Sequence, residues 1–247
     1  MTRRELLRCI LYTAIIPILV WGNGIRTMYL HIKQDHISDR GILINLIGPV
    51  SEELASVTLI LLIFSSMTVL VFEYIKGDDR VDRLLRYRDR DSYTRSLIVD
   101  GLKYSFCVVM IMEILKILSL ILFLGLRIMA SKEVLVYIFL DTFMCFLFYF
   151  RVISVYLLCK AEFSNRIVSI ITTVFIYFVE YIIFYYVLYE TEWLPAYTLM
   201  ISFDTVFRGV NPAMAVVWFC VSLIIDAILA LLLIIKMRGK DILSFEK

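Results

Sequence analysis

The sequence predicts an all-α, polytopic membrane protein with six transmembrane helices, and three observations lead there. Of its 247 residues, 61% are apolar, against about 45–50% in ordinary soluble domains. Mean hydropathy is +0.86 even though 19% of the residues are charged. The apolar residues also fall in runs long enough to cross a bilayer, which takes about 20 residues at roughly 1.5 Å each. This composition excludes an ordinary soluble domain, a disordered chain and a collagen-like fibre. Continuous runs, in place of strict alternation, argue against a membrane β-barrel. A net charge of only +2 gives no electrostatic footprint for nucleic acid.

The six runs cover residues 6–21, 54–75, 104–129, 134–159, 167–189 and 213–235. The first is short and contains Pro17; it follows a basic start and resembles a signal peptide, but WGNGIR follows it in place of a small-residue cleavage site. It is read as a retained span. Ser51 and Glu52 are expected to cap the second span. With both termini in the cytoplasm, sixteen lysines and arginines fall in the inner segments and six in the outer ones, which obeys the positive-inside rule. Trp21 and Trp193 then lie at the outer interface. No internal repeat or flexible linker divides the chain, so residues 1–247 read as one transmembrane domain in the cell membrane. The five cysteines lie in or beside apolar runs and do not suggest a disulfide framework.

The inner segment between the second and third spans is the most charged part of the chain: KGDDRVDRLLRYRDRDSYTR, residues 76–95. Asp79–Arg83 and Asp82–Arg86 have i,i+4 spacing with the acid first, the favoured order. Val81, Leu84 and Leu85 share one face. A short helix carrying a small apolar patch is expected, with Asp79, Arg80, Asp82, Arg83, Leu84, Leu85, Arg86 and Arg88 as its partner-binding residues. A solvated loop obeying the positive-inside rule accounts for the arginines, but not for the aspartates or the apolar triplet. Between the fifth and sixth spans, ETEWLPAYTLMISFDTVFRGVNP is too apolar for a free loop. It reads as a re-entrant or interfacial segment, or as a loop packed on its own bundle.

Ionisable residues inside apolar spans are expensive and normally paired. Glu113 and Lys116 are three residues apart and suited to a pair on one helix, as are Asp100 and Lys103. Arg151 is expected to snorkel toward the inner interface, and Asp141 to be partly hydrated. Glu180 and Asp226 have no basic residue one turn away, so each needs a partner on another helix, water or a proton. Tyr177, Tyr181 and Tyr185 recur every fourth residue. They form either an aromatic packing ladder or the lining of a path for a cationic or amphipathic substrate. Glu113, Lys116, Asp141, Tyr177, Glu180, Tyr181 and Asp226 are therefore the candidate pathway residues.

No catalytic residue is expected. Glu52-Glu53 is followed by Val57, where the E-E-x-x-x-R motif of a membrane protease family requires arginine. No H-E-x-x-H, C-x-x-C or P-loop occurs, so metal, redox and nucleotide chemistry have no support in this chain.

The layout resembles the permease subunit of ABC transporters of the ABC-2, type V exporter-like, class. The matching features are the basic start MTRREL, six spans, the charged helix after the second and the apolar outer segment after the fifth. The stretch Leu84, Leu85, Arg86, Tyr87, Arg88 and Arg90 is similar to the L-x-R-Y-x-[SN]-R-like run of small permeases in Gram-positive bacteriocin or antimicrobial-peptide systems. The likeness covers nearly the whole chain as a layout, through a short motif. It implies a coupling helix seated in a groove of a separate P-loop ATPase that binds ATP and Mg. It also implies a second permease copy or a related permease, and export of, or self-immunity to, a peptide or amphipathic compound. A stand-alone membrane immunity protein without energy coupling is the alternative.

Overall fold

In the computed structural model, described for residues 7–14, 64–77, 90–124, 131–163, 165–183, 206 and 211–238, the described residues contain helices and no strand. Six helices are labelled here in chain order. They are α1 (7–14), α2 (Ser65–Gly77), α3 (Arg90–Leu124), α4 (Lys132–Phe163), α5 (Arg166–Ile183) and α6 (Pro212–Arg238). The segment 78–89, which holds the expected coupling helix, lies outside the described residues. So do the caps expected at Ser51 and Glu52, and nearly all of the apolar outer segment.

Local chemistry starts the helices where they start. Asn165 Oδ1 accepts from the backbone N–H of Ile167 at 2.9 Å and of Val168 at 3.3 Å, an N-cap for α5. Asn211 Oδ1 accepts from Ala213 N at 2.9 Å, and Pro212, with its preset φ and missing N–H, fills the first helical position of α6. Ser131 does the same for α4, through Val134 N at 3.4 Å.

Among the described residues, two helices, α4 and α6, are long and apolar enough to cross a membrane, which marks the chain as membrane-associated. They are used differently. α4 is the hub, in contact with α2, α3, α5 and α6, and 61% of its most apolar stretch is buried. For α6 the figure is 17%: Val216, Ile224, Leu231 and Ile235 are all more than half exposed. A buried apolar helix also suits a water-soluble core, but an exposed one does not.

α5 makes the same point through its polar residues. Ser169, Thr173 and Tyr177, spaced by four, are 0–1% exposed, whereas Ile171 and Phe175 are 62% and 60% exposed. This is the reverse of an amphipathic helix in water. The buried hydroxyls of Ser169 and Thr173 are satisfied on their own helix, bonding the carbonyls of Asn165 at 2.7 Å and Ser169 at 2.8 Å, so they do not need water.

α3 begins at Arg90, well before the expected span start at residue 104. At 35 residues it is about 52 Å long, far more than the roughly 30 Å of a bilayer core. Its charged first turns are held by tertiary ion pairs. Lys76, at the end of α2, lies 3.1 Å from Asp100; this differs from the expected Asp100–Lys103 pair, and Lys103 is exposed. Arg238, at the end of α6, makes two hydrogen bonds to Asp91, at 3.1 and 2.9 Å. Lys236 pairs with Glu162. The C-terminal ends of α2, α4 and α6 and the N-terminal ends of α3 and α5 thereby gather at one end of the bundle.

Gly101 lets α3 lie close on α4. A Cβ there would meet Ile153 Cγ2 at 3.2 Å and Phe150 Cε2 at 3.8 Å. Gly101→Val is expected to wedge the two helices apart and cost about 1–3 kcal/mol, read as a lower unfolding temperature in detergent. The Arg238 guanidinium holds the Asp91 carboxyl below its ordinary value of 3.8. The favourable term from this clasp is therefore present above the ordinary carboxylate pKa and is lost as pH falls through the lowered one. Paired probes on the ends of α3 and α6 are expected to keep their separation from neutral to mildly acid pH and to part only in stronger acid; parting near neutrality would contradict the clasp.

Candidate functional site

The candidate site is a set of buried and part-buried charges distributed along α4. Asp141, Arg151 and Lys160 are ten and nine residues apart, about 15 and 14 Å along the axis. At about 100° per residue they point to different sides, and each meets a different neighbour.

Asp141 faces α3. Lys116 Nζ donates to Glu113 Oε1 at 2.7 Å and to Asp141 Oδ2. Glu113 and Asp141 are each 4% exposed. The expected Glu113–Lys116 pair is thus present but enlarged, and Asp141 is buried and paired where partial hydration was expected. Cys145, one turn further along α4, brings its sulfur within 4.8 Å of donor oxygens from both acids. The set looks like a metal triad by composition. Its cation position, however, is taken by the Lys116 ammonium, which bonds both carboxylates and lies 5.6 Å from the Tyr137 ring centre.

Arg151 faces α6. Its Nε donates to Asp226 Oδ1 at 3.2 Å, across 75 residues of sequence. The expected snorkelling does not occur, because a carboxylate on the adjacent helix is a better partner than distant water. Asp226 therefore has the inter-helix partner its sequence context demanded. Partly buried Glu180, on α5, lies in the field of the same guanidinium. The contact is a single bond where a bidentate fork is possible: Arg151 Nη2, Asp226 Oδ2 and the hydroxyls of Tyr177 and Ser222 are buried without a hydrogen-bond partner. Tyr177 also packs edge-on against Phe148, with ring centres 6.0 Å apart, which supports the aromatic-ladder reading at that position. The side chain of Tyr181 and all of Tyr185 lie outside the described residues.

Lys160 faces α2. Glu73 Oε2 accepts from Tyr156 OH at 2.6 Å and from Lys160 Nζ at 3.3 Å, and Arg166 Nε lies 3.5 Å from Glu73 Oε1. Local spacing does not reveal this cluster: Lys160 and Arg166 fall among the inner-segment charges of the sequence, 87 and 93 residues after Glu73. The available signal was an acid inside the apolar run of residues 54–75, which by itself calls for a partner.

Among the described residues, these clusters offer positive and negative groups held rigidly inside an apolar bundle. That is suited to contact with a polar or charged ligand. No protein-family model, curated protein or solved structure matches the chain.

Removing one member of a buried ion pair strands the other, at a cost of about 3–5 kcal/mol; replacing both with apolar residues is nearly neutral. Arg151→Met is expected to destabilise the bundle by that order, and Arg151→Met with Asp226→Leu to regain most of the loss. Unfolding of the purified variants would read both, and a double variant no better than the single one would refute the pairing.

Proposed function

We propose that the chain is the six-span permease subunit of an ATP-driven ABC transporter of the ABC-2 kind, located in the cell membrane with both termini inside. A separate P-loop ATPase with ATP and Mg drives it. Together with a second permease, identical or related, it exports a peptide or amphipathic compound or gives self-immunity. One observation carries the reading. The charged segment 78–89 is strung between α2 and α3, and the ends it joins are clamped by Lys76–Asp100 and Asp91–Arg238. A push on a segment so anchored passes into two bundle helices instead of being absorbed by a slack loop.

The inverted polarity of α5 and the exposed apolar face of α6 support a multi-pass arrangement in lipid. The charges of segment 78–89 suit a groove of complementary charge, with Leu84 and Leu85 as the apolar anchor. Polar groups of Arg151, Tyr177, Ser222 and Asp226 with unused hydrogen-bonding capacity support a route for a polar or cationic cargo along α4, α5 and α6.

The test starts from the expectation that a gene for a P-loop ATPase lies beside this one, and reconstitutes the chain with that ATPase. Charge reversal at Arg83, Arg86 and Arg88 together is expected to leave membrane insertion intact and to abolish permease-stimulated ATP hydrolysis. Protection that persists in the triple variant, with no ATPase bound by the native chain, would overturn the proposal and favour the stand-alone immunity protein.

A further inference from the structure

The Glu113–Lys116–Asp141 cluster does not balance. Two carboxylates and one ammonium sum to one negative charge when all are ionised. Among the described residues, the groups facing it do not correct this. From α4 come Tyr137, Cys145 and Tyr149, which are neutral in their ordinary states. α6, packed on both α3 and α4, carries as ionisable residues in its apolar stretch only Asp226, committed to Arg151, and Cys220, which is exposed. Among the described residues, no second cation reaches the site.

Glu113 shows where the imbalance falls. Asp141 and Glu113 each bond Lys116 through one oxygen, and the second oxygen of Glu113 is buried without a hydrogen-bond partner in a residue that is 96% covered. A bare carboxylate oxygen in that position is costly, and a like charge next to it raises the cost further. A metal ion would cancel the charge but would have to displace the ammonium.

We infer that this cluster is a proton-binding site: Glu113 takes one exchangeable proton on Oε2, while Lys116 and Asp141 stay ionised as a pair. The proton comes from water and returns to it, and no bond other than O–H is made or broken. Bound, it leaves the α3–α4 contact neutral. Released, it leaves a net charge that only water or separation of α3 from α4 can accommodate. The site therefore links proton occupancy to the packing of these two helices, whether or not an ATPase drives the chain.

The experiment is infrared difference spectroscopy of the full chain in lipid nanodiscs, reading the carbonyl stretch of protonated carboxyl groups and its shift in D2O. The expected result is a band at neutral pH that is lost in Glu113→Gln. Charge counting gives two further signatures. Asp141→Asn leaves one carboxylate facing one ammonium, so the band is lost there too although Glu113 is present. Lys116→Met leaves two carboxyls and no cation, so the band doubles. These variants keep the inference testable if Glu113→Gln does not fold. No Glu113-dependent band in the native chain, or a band unchanged in Asp141→Asn, overturns it; so does a native band that appears only when sodium and potassium are removed, which would assign the site to a metal cation.

Discussion

Each charge buried on a central helix must find a counter-charge on a neighbouring helix, and α4 places this demand on the rest of the bundle. Its three inward-facing charges, Asp141, Arg151 and Lys160, lie on different sides and at different depths. α3 answers with Glu113 and Lys116, α6 with Asp226, and α2 with Glu73. Apolar contact alone lets helices slide and rotate over one another with little penalty. A buried carboxylate that must meet one particular ammonium or guanidinium does not, so the pairs set the register in which α2, α3 and α6 dock on α4.

The exterior follows from the same constraint. With polar side chains needed inside, the remaining surface of α5 and α6 is left to Ile, Phe, Leu and Val, which are exposed in quantity. Water would not tolerate that surface, and lipid does. At one end of the described bundle the helix ends are clasped to one another by Lys76–Asp100, Asp91–Arg238 and Lys236–Glu162. One end of the molecule is thus stiffened by ion pairs at the point from which the charged segment 78–89 springs.

Much of this was legible in the chain because apolar run length reports directly on helical segments. The reading of 134–159 corresponds to α4 (Lys132–Phe163), and that of 213–235 to α6 (Pro212–Arg238). The extension of α3 back to Arg90 was not legible. Hydropathy falls off at the charged residues 90–103, yet these stay helical because Asp91 and Asp100 are held by partners on other helices. The Glu113–Lys116 pair was visible because its members are one turn apart. Arg151–Asp226 was not, and Arg151 read as a snorkelling side chain for lack of any local acid.

By itself the sequence determined an all-helical, membrane-associated chain, the approximate extent of its helices and the residues whose charge would need an answer. Those properties depend on composition and on spacing within a turn or two, which are local. Only the tertiary structure decided that α4 is enclosed while α6 is peripheral, that Asp141 joins Glu113 and Lys116 in one cluster of two acids and one base, and that Arg151 serves Asp226. Partner choice among buried charges depends on which helix faces which across distances such as the 75 residues between Arg151 and Asp226. Periodicity along one helix carries no information about that.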